Sequence, residues 1–162
     1  MGATNVLGKF AGDQCLDEGG DATATQMFDE TETYFKAAAD GAAATATTDQ
    51  WMWTNNTGGA CSLISGIFWP SAGVTADNTN FATIQIKVDN GIGGASAVAL
   101  SMTTAITDSG NLTALATKAL TLRTGANATI AAGATVYFAI TKSGAGVVIP
   151  ISAITLRIRK AN

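Results

Sequence analysis

From residue 78 onward, hydrophobic and polar positions alternate with a period of two, in short runs broken by clusters of glycine, asparagine and aspartate. Successive side chains of an extended chain point to opposite sides, so this period predicts strands lying with one face on a core; a helix would repeat its apolar positions every three to four residues. The clearest run is 81–88, where Ile84, Ile86 and Val88 fall on one side and Thr83, Gln85 and Lys87 on the other. Asp89-Asn90-Gly91 follows, and an Asn-Gly pair suits turn positions that need positive φ, so the run 97–105 is expected to return beside 81–88 as a hairpin. Three further runs alternate in the same way: Leu120 and Leu122 with Thr121 and Arg123; Val136, Phe138 and Ile140 with Thr135, Tyr137 and Thr141; Ile154, Leu156 and Ile158 with Thr155, Arg157 and Arg159. The stretches 124–127 and 142–146 between them read as Gly-rich loops of hairpin length. Pro150 heads the last strand, where a missing N–H matters least.

The first half is less regular. Three β-like runs are read there, 27–35, 45–54 and 62–69, and the run 36–48 (KAAADGAAATATT) is either a short helix or strand plus loop. About eight short strands separated by turn signals, without a long amphipathic helix, predict an all-β fold: an antiparallel β-sandwich, of which the jelly roll is the expected eight-strand version. Residues 1–26 hold five glycines and little apolar content, and are expected to form an extended N-terminal arm that orders against a partner, leaving 27–162 as the sandwich domain.

Composition adds an expectation of assembly. Charged residues make up 13% of the 162, against about 25% in ordinary soluble domains, so the surface is polar but nearly neutral and gives little protection against association. The charge present is unevenly placed. Residues 1–49 carry nine of the twelve acids against Lys9 and Lys36, a net −7, and the remainder is +4. This is either drift in surface composition or an acidic N-terminal segment made to lie on a basic surface of a neighbouring subunit or partner, with salt-dependent assembly as the consequence. The N-terminus lacks a basic segment followed by an apolar one, and no apolar run approaches a membrane span, so synthesis in a cytoplasm and no membrane partner are expected.

Candidate chemistry is thin. The chain has no histidine, which removes Ser-His-Asp and Cys-His pairings and the commonest general base. Cys15 and Cys61 stand 46 residues apart without a CxxC, so zinc-ligand spacing is absent. Cys61 lies in an apolar run and reads as a small buried hydrophobe; Cys15 lies among Asp13, Asp17 and Glu18, which disfavour its thiolate. Glu30 and Glu32 share one strand face and Asp29 and Thr31 the other, an alternation expected of a solvated or subunit-facing edge rather than of a hydrolase. Gly91–Gly94 and Gly144–Gly146 lack the following helix and lysine of a phosphate-cradling loop. Asp77-Asn78-Thr79-Asn80 opens like a calcium loop, but Phe81 and Ala82 follow and the closing glutamate is missing, so turn chemistry is the better reading. The Asn-x-Thr triplets at Asn55, Asn111 and Asn127 read as turns too. No catalytic, cofactor-binding or metal site is expected, and the chain reads as a non-enzyme.

The most suggestive group is Trp51-Met52-Trp53 with Trp69. On a regular strand Trp51 and Trp53 share a face, and the three indoles are expected to form a core wall or a subunit interface. A flat platform for stacking sugars is the functional alternative. Nucleic-acid binding is disfavoured, because the aromatics lie where positive charge is scarcest.

The stretch from Val74 to Lys160 resembles a β-sandwich module recurrent in virion proteins of tailed bacteriophages. The likeness is carried by Thr75-Ala76-Asp77-Asn78-Thr79-Asn80-Phe81-Ala82-Thr83-Ile84, by the hairpin at Gly91–Gly94, by Ala131-Ala132-Gly133-Ala134-Thr135-Val136, and by Ile140-Thr141-Lys142-Ser143-Gly144-Ala145-Gly146-Val147-Val148-Ile149-Pro150. It covers a little over half the chain. Such modules occur in capsid decoration (cement) proteins and in head or tail fibres. The resemblance implies a decoration protein on the outer capsid surface of the virion, made in the host cytoplasm, a homotrimer whose partners are its own copies and the major capsid protein. A carbohydrate- or receptor-binding module of a phage fibre is the alternative. No site residue is carried over.

Overall fold

The computed structural model describes residues 27–36, 48–89, 96–123, 128–145 and 147–161, with 27–36, 48, 49 and 161 described through the backbone. These residues form nine strands: β1 Met27–Lys36, β2 Thr48–Thr54, β3 Cys61–Pro70, β4 Ala82–Asp89, β5 Ala97–Thr103, β6 Lys118–Leu122, β7 Thr129–Ile130, β8 Thr135–Lys142 and β9 Ser152–Ala161, with one 3-10 turn at Ile106–Asp108. Every pairing is antiparallel. The strands follow one path, β1-β9-β3-β6-β5-β4-β8-β2, with the two-residue β7 attached to β3. The path curls into two layers at β6. Lys118 to Leu120 pair with β3, while Thr121 and Leu122 pair with Ser101 and Leu100 of β5, so β6 turns the corner between a first layer of β1, β9 and β3 and a second of β5, β4, β8 and β2.

Four of these pairs are nested: β4 with β5, β3 with β6, β2 with β8 and β1 with β9. The chain therefore behaves as one long hairpin folded over on itself. The expected pairing of 81–88 with 97–105 is the innermost of these pairs. The loops read as hairpin turns at 124–127 and 142–146 are not hairpins, because β6 does not pair with β7, nor β8 with β9. Residues 124–127 and 146 lie outside the described residues; the nested winding sends β7 and β9 to β3, a partner far away in sequence.

The alternation read from the sequence places the core. In β4 buried and half-buried positions alternate along the whole strand, and Ile84, Ile86 and Val88 face in. They meet Leu100 of β5 and Val136, Phe138 and Ile140 of β8 in their own layer, and Leu63, Phe68, Leu156 and Ile158 from the other. Each such side chain taken fully out of water contributes about 1.5–3 kcal/mol. Gly66 marks the closest packing: a Cβ there would stand 2.7 Å from Leu100 Cδ1 and 2.9 Å from Leu120 Cδ1, so the missing side chain leaves room for leucines from the neighbouring strand and the facing layer.

Part of the charge asymmetry falls on paired strands of the same chain. β1 lies antiparallel to β9 with Asp29 opposite Arg159, Thr31 opposite Arg157 and Phe28 opposite Lys160. The acidic strand thus runs along a basic strand of the same chain. β1 is an edge of the path, as the Asp29–Glu32 alternation predicted. The arm 1–26 and the helix-or-loop segment at 36–48, apart from its two end residues, fall outside the described residues.

Candidate functional site

The three tryptophans do not form one wall. A β-bulge separates Trp51, opposite Tyr137, from Trp53, opposite Val136. The extra residue shifts the side-chain alternation by one: Met52 is buried, Trp53 packs against the core, and Trp51 is 66% exposed. The expectation that Trp51 and Trp53 share a face is therefore overturned, and periodicity gives no sign of a bulge. Trp69 lies on the other layer, opposite Ala153 of β9 and 42% exposed.

Trp51 is exposed and held. Its Nε1 donates to Thr54 Oγ1 at 3.0 Å, and Thr54 Oγ1 is 3.3 Å from Thr135 Oγ1 on β8. The row through Trp51 continues across the outer face of the second layer to Tyr137, Lys87 and Val98. Farther along that face, over β4, β5 and β6, lies an open groove of about 880 Å3. Hydroxyls of Thr83, Ser101, Thr103, Thr107 and Thr121 line it, with Asn78, Asp108 and Arg123 around them and Phe81 and Met102 contributing apolar surface. Lys118, also on its wall, donates to the Ser109 carbonyl at 2.6 Å.

The outer face of the first layer differs. Ile67 and Trp69 point outward on β3, Ile151 is 52% exposed just before β9, and Leu115 is 78% exposed in the loop before β6. Backbone hydrogen bonds hold these segments together: Leu115 N–H donates to the Pro70 carbonyl at 2.8 Å, and Ser71 N–H to the Ile151 carbonyl at 2.9 Å. Leu115 has φ +58°, a left-handed conformation that costs a side-chain-bearing residue roughly 1–2 kcal/mol. Large apolar side chains are thus displayed together at one end of the face, while Ser62, Ser65, Arg157 and Arg159 occupy its other end.

The turn reading of Asp77–Asn80 holds in detail. Asp77 Oδ1 accepts from the N–H groups of Thr79 (2.6 Å) and Asn80 (2.7 Å), Asn78 Oδ1 from Thr107 N–H (3.3 Å), and Asn80 Oδ1 from Ala145 N–H (2.7 Å). Three loops are thereby stitched together at one end of the molecule. The two backbone donors hold the Asp77 carboxyl below the usual carboxylate range. A depressed folded-state pKa gives stability that is complete above the unfolded-state value and lost as pH falls through the folded one. Asp77→Asn is therefore expected to lower the thermal midpoint at neutral pH and to flatten its fall between roughly pH 5 and pH 2. Melting curves of both proteins across that range test this; parallel pH profiles would refute it.

Asn55 does more than turn the chain: it is fully buried, with both ends of its amide engaged. Asn111 Oδ1 accepts from Ala76 N–H at 2.7 Å, and Asn127 lies outside the described residues. Cys61 is buried at 2% exposure. Among the described residues no group of three His, Cys, Asp or Glu is placed to hold a metal ion, and no helix is long and apolar enough to cross a membrane. Comparison with protein-family models, with curated proteins and with solved structures returns no match for this chain.

Proposed function

We propose that the chain is a capsid decoration (cement) protein of a tailed bacteriophage: a sandwich, wound as a jelly roll, that sits as a homotrimer on the outer surface of the head and stabilises the virion through contacts with its copies and with the major capsid protein. The observation that carries this reading is the apolar end of the first layer's outer face. Trp69, Leu115 and Ile151 are 42%, 78% and 52% exposed, and Leu115 is held there in a strained conformation. A sparsely charged protein that displays large apolar side chains together is suited to burying them against another surface, and we assign the contact between copies to this patch. The nested strand order and the phage-like phrases, which form the stitched loops at one end, support the same reading.

The oligomer provides the direct test. Ile151→Asp in the full chain is expected to shift the mass in solution from trimer to monomer. Leu115→Gly relieves the positive-φ strain while removing the exposed side chain, so it is expected to weaken assembly with no loss of the folded subunit's stability. A parent that is monomeric at high concentration, or variants that assemble like the parent, would sink the assignment of the patch. The biological reading is tested on particles: virions lacking the protein are expected to lose integrity at a lower temperature and at low salt, and equal tolerance would overturn it.

A further inference from the structure

We propose that the outer face of the second layer binds an extended, uncharged oligosaccharide, with Trp51 and Tyr137 as the stacking end and the hydroxyl-lined groove over β4, β5 and β6 as the hydrogen-bonding end. This site is separate from the patch assigned to contacts between copies and does not rest on the capsid reading.

The indole comes first. A tryptophan left 66% exposed on a strand ordinarily samples several rotamers, but the Nε1 bond to Thr54, itself next to Thr135, fixes this one. With Nε1 engaged, what Trp51 offers a ligand is its ring face. Tyr137 is its cross-strand partner, which places the two Cβ atoms about 5 Å apart on one side of the sheet. Two neighbouring aromatic side chains, one with its polar atom already bonded, suit the C–H faces of pyranose rings. They make a weak site for a ligand recognised through hydrogen bonds alone.

The groove supplies what the aromatic corner lacks. Thr83, Ser101, Thr103 and Thr121 present hydroxyls that both donate and accept, matching the hydroxyls of a sugar. A phosphate-bearing ligand fits less well: Asp108 stands in the same groove as Arg123 and offsets its charge, and Lys118 is already engaged with the Ser109 carbonyl. Polyol recognition is favoured over recognition of a nucleic acid for that reason.

Register sets the length. From Trp51 on β2 to Thr121 on β6 the face crosses β8, β4 and β5, four strand spacings, or about 19 Å. One monosaccharide cannot touch both ends, whereas a chain of several sugars lies along Trp51, Tyr137 and Lys87 and then slants two residues along β4 to Gln85, Ser101 and Thr121. Affinity should therefore rise with the number of linked sugars until the strip is filled.

The experiment titrates the full chain with neutral linear oligomers of two to six units: β-1,4-linked glucose, β-1,4-linked N-acetylglucosamine and α-1,4-linked glucose. It reads tryptophan fluorescence and amide and indole N–H shifts by NMR. The expected result is that at least one series binds with length-dependent affinity and shifts the Trp51 indole together with the Ser101 and Thr121 amides. Trp51→Ala should weaken binding at least tenfold, Ser101→Ala several-fold, and Ser62→Ala, on the outer face of the other layer and away from the apolar patch, not at all. The proposal is overturned if no oligomer at millimolar concentration moves these signals. It is equally overturned if Trp51→Ala binds like the parent, or if Ser62→Ala weakens binding as much as Trp51→Ala.

Discussion

Replacing Asn55 by alanine is expected to destabilise the fold by about 3–5 kcal/mol, as large an effect as emptying part of the apolar core. The side chain is fully buried and its amide nitrogen donates to three carbonyls: Gly59 at 2.8 Å, Ile130 at 3.0 Å and Ala131 at 3.0 Å. Its oxygen accepts from Thr57 N–H at 3.1 Å, from the Thr57 hydroxyl at 2.6 Å and from the Cys61 thiol at 3.5 Å. Its backbone completes the junction, donating to the Ala134 carbonyl and accepting from Gly133 N–H, both at 2.8 Å. Alanine keeps the backbone bonds and strands the rest, and a buried polar group left without a partner costs about 1–3 kcal/mol. Part of that cost is recovered where the partners are only part-buried, as at Gly59 and Thr57. Asn55→Asp keeps the accepting side but replaces the amide donors with a buried charge, so it should fare worse than alanine at neutral pH and recover as pH falls. Urea unfolding gives the difference directly. An alanine variant within about 1 kcal/mol of the parent would show that the hub is dispensable. Faster amide exchange at Ile130 would locate the damage at β7, the strand that Asn55 fastens to β3.

The same residue shows how far the sequence could be read. Strands whose two faces differ were legible, because burial of one face imposes a period of two: β4, β8 and β9 fall within a residue or two of the predicted runs. So was the innermost hairpin, whose partners are close in sequence. What failed depends on partners far away. β7 is two residues long and exists through Cys61 and Ser62, more than sixty residues upstream, so it leaves no periodic trace. Asn55-Asn56-Thr57-Gly58-Gly59 reads as a turn because its composition is that of a turn, while the acceptors that make Asn55 a hub are 75 and 76 residues on. The bulge at Met52 is silent as well, and it decides which tryptophan faces solvent. The split in charge is visible in the sequence, but nothing local says that the first strand lies beside the last. The candidate binding face on the second layer combines Trp51, conspicuous in the sequence, with hydroxyls that the period-two pattern does not separate from ordinary strand surface.

Gly144→Ala is the second substitution expected to have a large effect, about 3–4 kcal/mol, and its size can be separated into two causes. Gly144 has φ +61°, so any side chain there carries the left-handed penalty of roughly 1–2 kcal/mol. Gly58 and Gly133 have φ +82° and +79° with no atom within 4 Å of a Cβ, and alanine at either should therefore show that penalty alone. At Gly144 the added methyl would run into the Thr79 carbonyl, with Asn80 Oδ1 only 2.6 Å away. Neither obstacle can step aside. Asn80 Oδ1 accepts from Ala145 N–H at 2.7 Å, and Ser143 N–H donates to the Phe81 carbonyl at 2.9 Å, so moving the loops apart breaks the bonds that join them. Alanine at Gly144 should consequently be about 2 kcal/mol worse than alanine at Gly133, the excess being the two hydrogen bonds and the contact they keep. Unfolding free energies of the three alanine variants decide this. Equal losses at all three sites would mean that the two loops are docked loosely and that the Ser143-Gly144-Ala145 phrase is a turn like any other, with no part in holding this end of the sandwich together.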